Sequence, residues 1–118
     1  MGGDKNGGEV GRNNRALARL KKKTTTEMLW PYFLKLLTER PMCGYEIMQE
    51  MKKRFGWKPP TVTSYIVLHN LNRAGYVVSE WRGKKSGPAK KQYAITEAGR
   101  KLLKEGLEYL KSVCQSLS

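Results

Sequence analysis

The stretch KPPTVTSYIVLHNLNRAGYVVSEWRGKKSGPAKKQYAIT, residues 58–96, changes its apolar period part-way along. After Lys58-Pro59-Pro60 the period is helical. Tyr65, Leu68 and Leu71 share one face, Thr61 or Thr63 caps the start, and Gly75 supplies the left-handed residue that ends many helices. From Val77 onward the pattern is that of strands. Val77–Trp81 and Lys91–Ile95 are rich in β-branched and aromatic residues, and Gly83, Gly87 and Pro88 between them predict a hairpin loop.

Upstream, Ile47, Met48, Met51 and Phe55 predict an amphipathic helix from about Gly44 to Phe55, stopped by Gly56. Before it, Thr24-Thr25-Thr26-Glu27 fits a capping box, and Leu29, Phe33, Leu36 and Leu37 follow at helical spacing. Pro31 is comfortable only in a first turn, so this helix either kinks there or begins near Trp30; Arg40-Pro41 ends it. Downstream, Thr96 caps a last helix from Glu97 to about Gln115. Leu103, Leu107, Leu110, Cys114 and Leu117 form one apolar row on it, and Leu102, Gly106, Tyr109 and Val113 form a second. Two rows exceed what one contact needs, which predicts a partner helix and hence dimerisation through the first row. Packing of both rows on the chain's own domain is the alternative.

The predicted fold is mainly α with a small β-hairpin: a winged helix-turn-helix over residues 24–96 and a long dimerisation helix over 97–118. Residues 1–23 form a basic arm, expected to be mobile and helical only where it docks. Seven Lys and Arg there face only Asp4 and Glu9. A solubilising tail would have the same composition.

The 118 residues carry 23 Lys and Arg against 10 Asp and Glu, a net charge of +13. Such an excess calls for a polyanion, nucleic acid before an anionic membrane surface. No stretch is long or apolar enough to span a bilayer, and the amino terminus lacks the apolar run of a signal peptide, so the expectation is a cytoplasmic protein. Cys43 and Cys114 with the single His69 make too small a set for a structural metal site, and no cofactor is expected. One histidine, no glycine-rich phosphate loop and no triad argue against an enzyme.

In a helix-turn-helix the second helix enters the DNA major groove by its N-terminal part. Here that part carries Thr61, Thr63 and Ser64, with Val67 further along, on its outer side. The hairpin loop carries Arg82, Lys84, Lys85, Lys90 and Lys91 with no acidic residue among them, as expected of a wing on the sugar-phosphate backbone of double-stranded DNA. A basic winged-helix module binding RNA or a larger nucleoprotein assembly is the competing reading.

Three stretches resemble the PadR family of winged-helix transcriptional regulators: LLTERPMCGYEI at 36–47, YIVLHNLNRAGYV at 65–77 and GPAKKQYAITEAGR at 87–100. The likeness extends from about Glu27 to Leu110, on the short branch with a single C-terminal helix. It implies a homodimer on a near-palindromic operator, usually acting as a repressor, with Tyr65 where the family has a tyrosine on its reading helix. Ile66 departs from the proline that often follows that tyrosine. Some family members respond to small aromatic compounds near the dimer interface, which makes Trp30, Trp57, Trp81 and Tyr109 candidates for an effector pocket.

Overall fold

The computed structural model describes residues 14–83 and 90–118. Residues 14–23 are helical (α1), and a turn over 24–28 leads into α2, Leu29–Leu37. The capping box expected at Thr24 is not there. Met28 occupies the N-cap of α2 with no side-chain hydrogen bond. Pro31 settles the start, because at the third helical position its missing N–H has no intrahelical acceptor to lose. The threonines close α1 instead: Thr24 Oγ1 donates to Leu20 O at 2.8 Å, and Thr25 Oγ1 to Lys21 O at 2.6 Å.

Helix α3 spans Gly44–Phe55, as read, and Gly56 ends it with φ 83°. At its start the Glu46 carboxylate accepts the Cys43 N–H at 2.9 Å. That backbone hydrogen bond, first among the causes, holds Glu46 below the usual carboxylate range. Helix α4 spans Thr61–Arg73. Neither Thr61 nor Thr63 caps it; Pro60 is the N-cap, its extended φ already set by the ring. At the far end Gly75 N–H donates to Asn72 O at 3.1 Å and Tyr76 N–H to Leu71 O at 2.9 Å, closing the helix as a Schellman motif.

The sheet has three antiparallel strands in the order β1-β3-β2. β2, Val77–Arg82, and β3, Lys90–Ile95, form the wing in a register that pairs Val77 with Ile95 and Arg82 with Lys90. β1 is only Met42–Cys43, added to the other side of β3, and two residues are too few to show a period. Helix α5, Glu97–Ser116, is capped by Thr96, whose Oγ1 accepts the Gly99 N–H at 3.1 Å.

The core is built by Phe33, Leu34, Leu36, Ile47, Met51, Leu68 and Val77, all nearly inaccessible to solvent. Ser64 takes the inner place on α4 that the apolar period assigned to Tyr65. Leu103 belongs to this core as well, so the first member of the expected dimerisation row packs on its own domain. Leu102 and the Trp30 ring, seated over Gly106, complete the α2–α5 contact. Beyond that point α5 leaves the body: Leu107 is 49% exposed and Leu117 82%.

α5 reaches the domain because residue 99 has no side chain. A Cβ there would lie 2.2 Å from the Tyr76 carbonyl oxygen. Gly99→Ala therefore forces backbone apart, a cost of about 1–3 kcal/mol that outweighs the helix-propensity gain of roughly 1 kcal/mol. Urea unfolding should show a lower midpoint with an unchanged slope.

Candidate nucleic-acid interface

The two halves of the helix-turn-helix meet at Gly44 and Tyr65. A Cβ on Gly44 would stand 2.4 Å from Tyr65 Cε1, so the tyrosine ring lies directly on the backbone of the first turn of α3. This is why a small residue is needed in the Pro-x-x-Gly-Tyr-Glu stretch. Tyr65 is 43% exposed, and it borders a cleft of about 510 Å³. Tyr45, Tyr65 and His69 form the helical side of that cleft; Trp81, Lys90 and Lys91 form the wing side. Tyr93 floors it; burial first, and the nearby Tyr65 second, push its phenol pKa up. Lys91 Nζ stands 5.6 Å from the centroid of the exposed Trp81 ring, close enough for a cation–π contact. Asn72 Nδ2 donates to Ser79 Oγ at 2.7 Å, tying α4 to the wing strand β2.

The residues expected on the reading face divide. Thr61, Thr63 and Tyr65 are exposed near the start of α4. Ser64 is not: it is 1% exposed and its hydroxyl donates to Pro60 O at 2.7 Å, because its position falls on the face that meets the core. Arg82 and Lys90 pair across the outer end of the wing strands and are exposed, Arg82 within 3.4 Å of Glu80, with Lys91 half-buried beside them. Lys84 and Lys85 lie outside the described residues. Val67, expected on the outer side, is half-buried against the core because its position turns toward α2. Val62 and Ile66, 73% and 54% exposed, share the outward face of α4 instead. Of these the sequence marked only Ile66, as a departure from the family's proline. Tyr45 was not singled out from the sequence. His69, four residues after Tyr65 and so on the same side of α4, lies where the sequence places a groove-side or boundary residue.

The four aromatic candidates for an effector pocket do not come together in the chain. Trp30 sits over Gly106 and borders an apolar groove with Val67, Tyr76 and Leu102. Trp57 packs edge-on against Tyr32, with ring centroids 5.3 Å apart. Trp81 stands on the wing and Tyr109 is 67% exposed on α5. The separation follows from their elements: a strand, a turn and two helices each point one ring toward a different neighbour. Among the described residues no group of three or more His, Cys, Asp or Glu is placed to hold a metal ion, and no helix is long and apolar enough to cross a membrane.

A comparison with protein-family models matches residues 33–105 to the transcriptional regulator PadR-like family. The chain belongs to this family. The PadR-like family is one of transcriptional regulators and not of enzymes. Among solved structures, a candidate transcriptional regulator of Thermoplasma acidophilum is 32% identical with a TM-score of 0.65, covering 78% of this chain and 91% of its own. PadR of Bacillus subtilis, solved in complex with operator DNA, is 26% identical with a TM-score of 0.62. That match covers 67% of this chain but only 46% of the Bacillus protein. A PadR family regulator of Eggerthella lenta, at 21% identity, shares the fold with a TM-score of 0.77 over 90% of this chain and 92% of its own. A comparison with curated proteins finds no match.

The Gly44–Tyr65 contact predicts a coupling. Gly44→Ala should displace the ring and lower stability by roughly 1–3 kcal/mol. In the Tyr65→Ala background the same change should cost little, giving a double-mutant interaction energy above about 1 kcal/mol. Additive losses in chemical unfolding would show that the ring does not rest on Gly44.

Proposed function

We propose that this protein is a sequence-specific double-stranded DNA-binding transcriptional regulator, acting as a homodimer that represses from an inverted-repeat operator. The observation that carries the reading is the exposed outer face of α4 lying beside the basic wing. The operator complex of the 26%-identical Bacillus PadR supports it. α4 enters the major groove by its first two turns, where Thr61 and Thr63 meet phosphates and Val62 and Ile66 meet thymine methyl groups. Arg82, Lys90 and Lys91, together with Lys84 and Lys85, run along the adjacent backbone and contribute sequence-independent affinity by counterion release. An RNA duplex suits this surface less well, because its deep, narrow major groove excludes a helix.

The dimer follows from α5 beyond Leu103. Leu107 and Leu110 border an apolar groove of about 370 Å³ with Met28, Pro31 and Phe55, and Cys114 and Leu117 continue the row. A second copy of α5 covers this surface. Twenty residues at ~1.5 Å each make a rod of about 30 Å, comparable with the ~34 Å that separates two reading helices on one face of DNA.

Replacing Lys90 and Lys91 with Gln should weaken binding to all duplexes alike and flatten the salt dependence by about one unit of slope per lost phosphate contact. An unchanged slope would remove the wing from the interface. Changing Leu107 and Leu110 to Lys places charges where two helices meet, so sedimentation should report a monomer with operator affinity lost far more than nonspecific affinity. A wild-type chain sedimenting as a monomer at tens of micromolar, above the usual range for a stable dimer, would overturn the dimer itself.

A further inference from the structure

Helix α1 lies outside the residues that match the family, and its ten side chains are all exposed. An isolated helix of this length is marginal in water. This one is closed by a built junction. The threonine hydroxyls bond Leu20 O and Lys21 O, Glu27 N–H donates to Lys22 O at 3.0 Å, and Tyr32 Oη donates to Thr24 O at 2.7 Å. The Lys21–Lys23 run at its carboxyl end opposes the negative end of the helix dipole.

The charges on α1 are ordered. Arg15, Arg19 and Lys22 follow at i, i+4 and i+7 and so form one stripe, with Leu17 and Leu20 turned away from it. Glu27 lies within 4.0 Å of Lys22 and Lys23. Among the described residues no carboxylate pairs with Arg15 or Arg19. The junction also has a definite neighbour. Tyr32, which anchors it, meets Phe55 and Trp57 edge-on at 5.0 and 5.3 Å. Those two rings flank the turn that leads through Lys58 to the start of α4. α1 is thus tied to the segment that delivers the reading helix.

We propose that α1 is a second DNA-binding element, one that lays its Arg15–Arg19–Lys22 stripe on the phosphates flanking the site covered by α4 and the wing. This rests on the proposed winged-helix binding. A stripe in which four residues advance ~6 Å can meet successive phosphates of one strand, and the ten described residues of α1, ~15 Å of helix, lengthen the footprint by about four base pairs on each side. Charge, order and place all favour a polyanion of regular spacing. Two leucines on so short a helix offer little apolar area for a membrane surface.

The test uses the full chain with Arg15→Gln and Arg19→Gln, and mixed-sequence duplexes of about 20 and about 40 base pairs, the shorter spanning only the two half-sites. On the longer duplex the slope of log affinity against log salt should fall by about two units per bound chain. On the shorter duplex it should barely change. Arg15→Lys with Arg19→Lys should retain the wild-type slope, and the thermal midpoint should be the same in all three proteins. Equal slopes for wild type and the Gln variant on the long duplex overturn the proposal. So does an equal loss on both duplexes, which would put the arginines inside the central site. So does charge-dependent binding seen only with vesicles of anionic lipid. A wild-type protein that binds neither duplex would instead remove the winged-helix reading on which the proposal stands.

Discussion

One backbone junction holds the working parts together. The Tyr76 carbonyl oxygen accepts the Thr96 N–H at 3.1 Å, and it occupies the space that a side chain at residue 99 would need. Thr96 Oγ1 donates to Gly75 O at 2.7 Å while accepting the Gly99 N–H. These few atoms join the end of α4, the first residue of the wing and the start of α5. Displacement of any one of them would disturb how α4, the wing and α5 meet. The junction tolerates no side chain at Gly99 and no right-handed backbone at Gly75, whose φ is 84°.

A second constraint is electrostatic. With +13 net charge in 118 residues, the folded chain repels itself, and several of its ten carboxylates are spent on local order. Glu46 closes the start of α3, and Glu39 and Glu50 hold Arg54, with the Arg54 hydrogen bond first among the causes that lower the Glu39 pKa. Among the described residues Arg15, Arg19 and Lys90 pair with no carboxylate and face solvent, whereas Lys22 and Lys23 meet Glu27 and Arg82 meets Glu80. The outer face of α4 is different in kind: Val62, Ile66 and the Tyr65 ring are apolar or aromatic. In the proposed function, affinity from the basic segments and discrimination from the apolar helix face fall to separate parts of the molecule.

Much of this was legible in the sequence, for physical reasons that differ by element. Gly44–Phe55 and Glu97 onward read correctly because their apolar periods are long and their ends carry cap residues. The wing strands were found to within one residue at their outer ends. Local chemistry misled where a second solution competed. Thr24 and Glu27 satisfy a capping pattern, yet the threonines close the helix before them because Pro31 sets where the next one starts. Ser64 has a phosphate-binding side chain but faces the core, since a helical start fixed at Thr61 turns it inward. Leu103 repeats with the exposed leucines of α5, but α2 ends the repeat's freedom by packing on it. Tyr45 and β1 gave no local signal, because their roles depend on contacts between segments far apart in the chain. The scattered tryptophans were grouped by residue type alone, and residue type carries no distance.

The central claim is that the α4 outer face and the wing form one DNA-binding surface. Backbone amide shifts followed by NMR while a duplex of about 20 base pairs, two half-sites long, is added test it directly. The account predicts the largest changes at Thr61, Val62, Thr63, Tyr65, Ile66 and His69 together with Arg82, Lys90 and Lys91, and small changes at Trp30, Val67 and Ala74 on the other side of α4. Changes confined to the wing and to residues 14–23, with α4 unmoved, would contradict it.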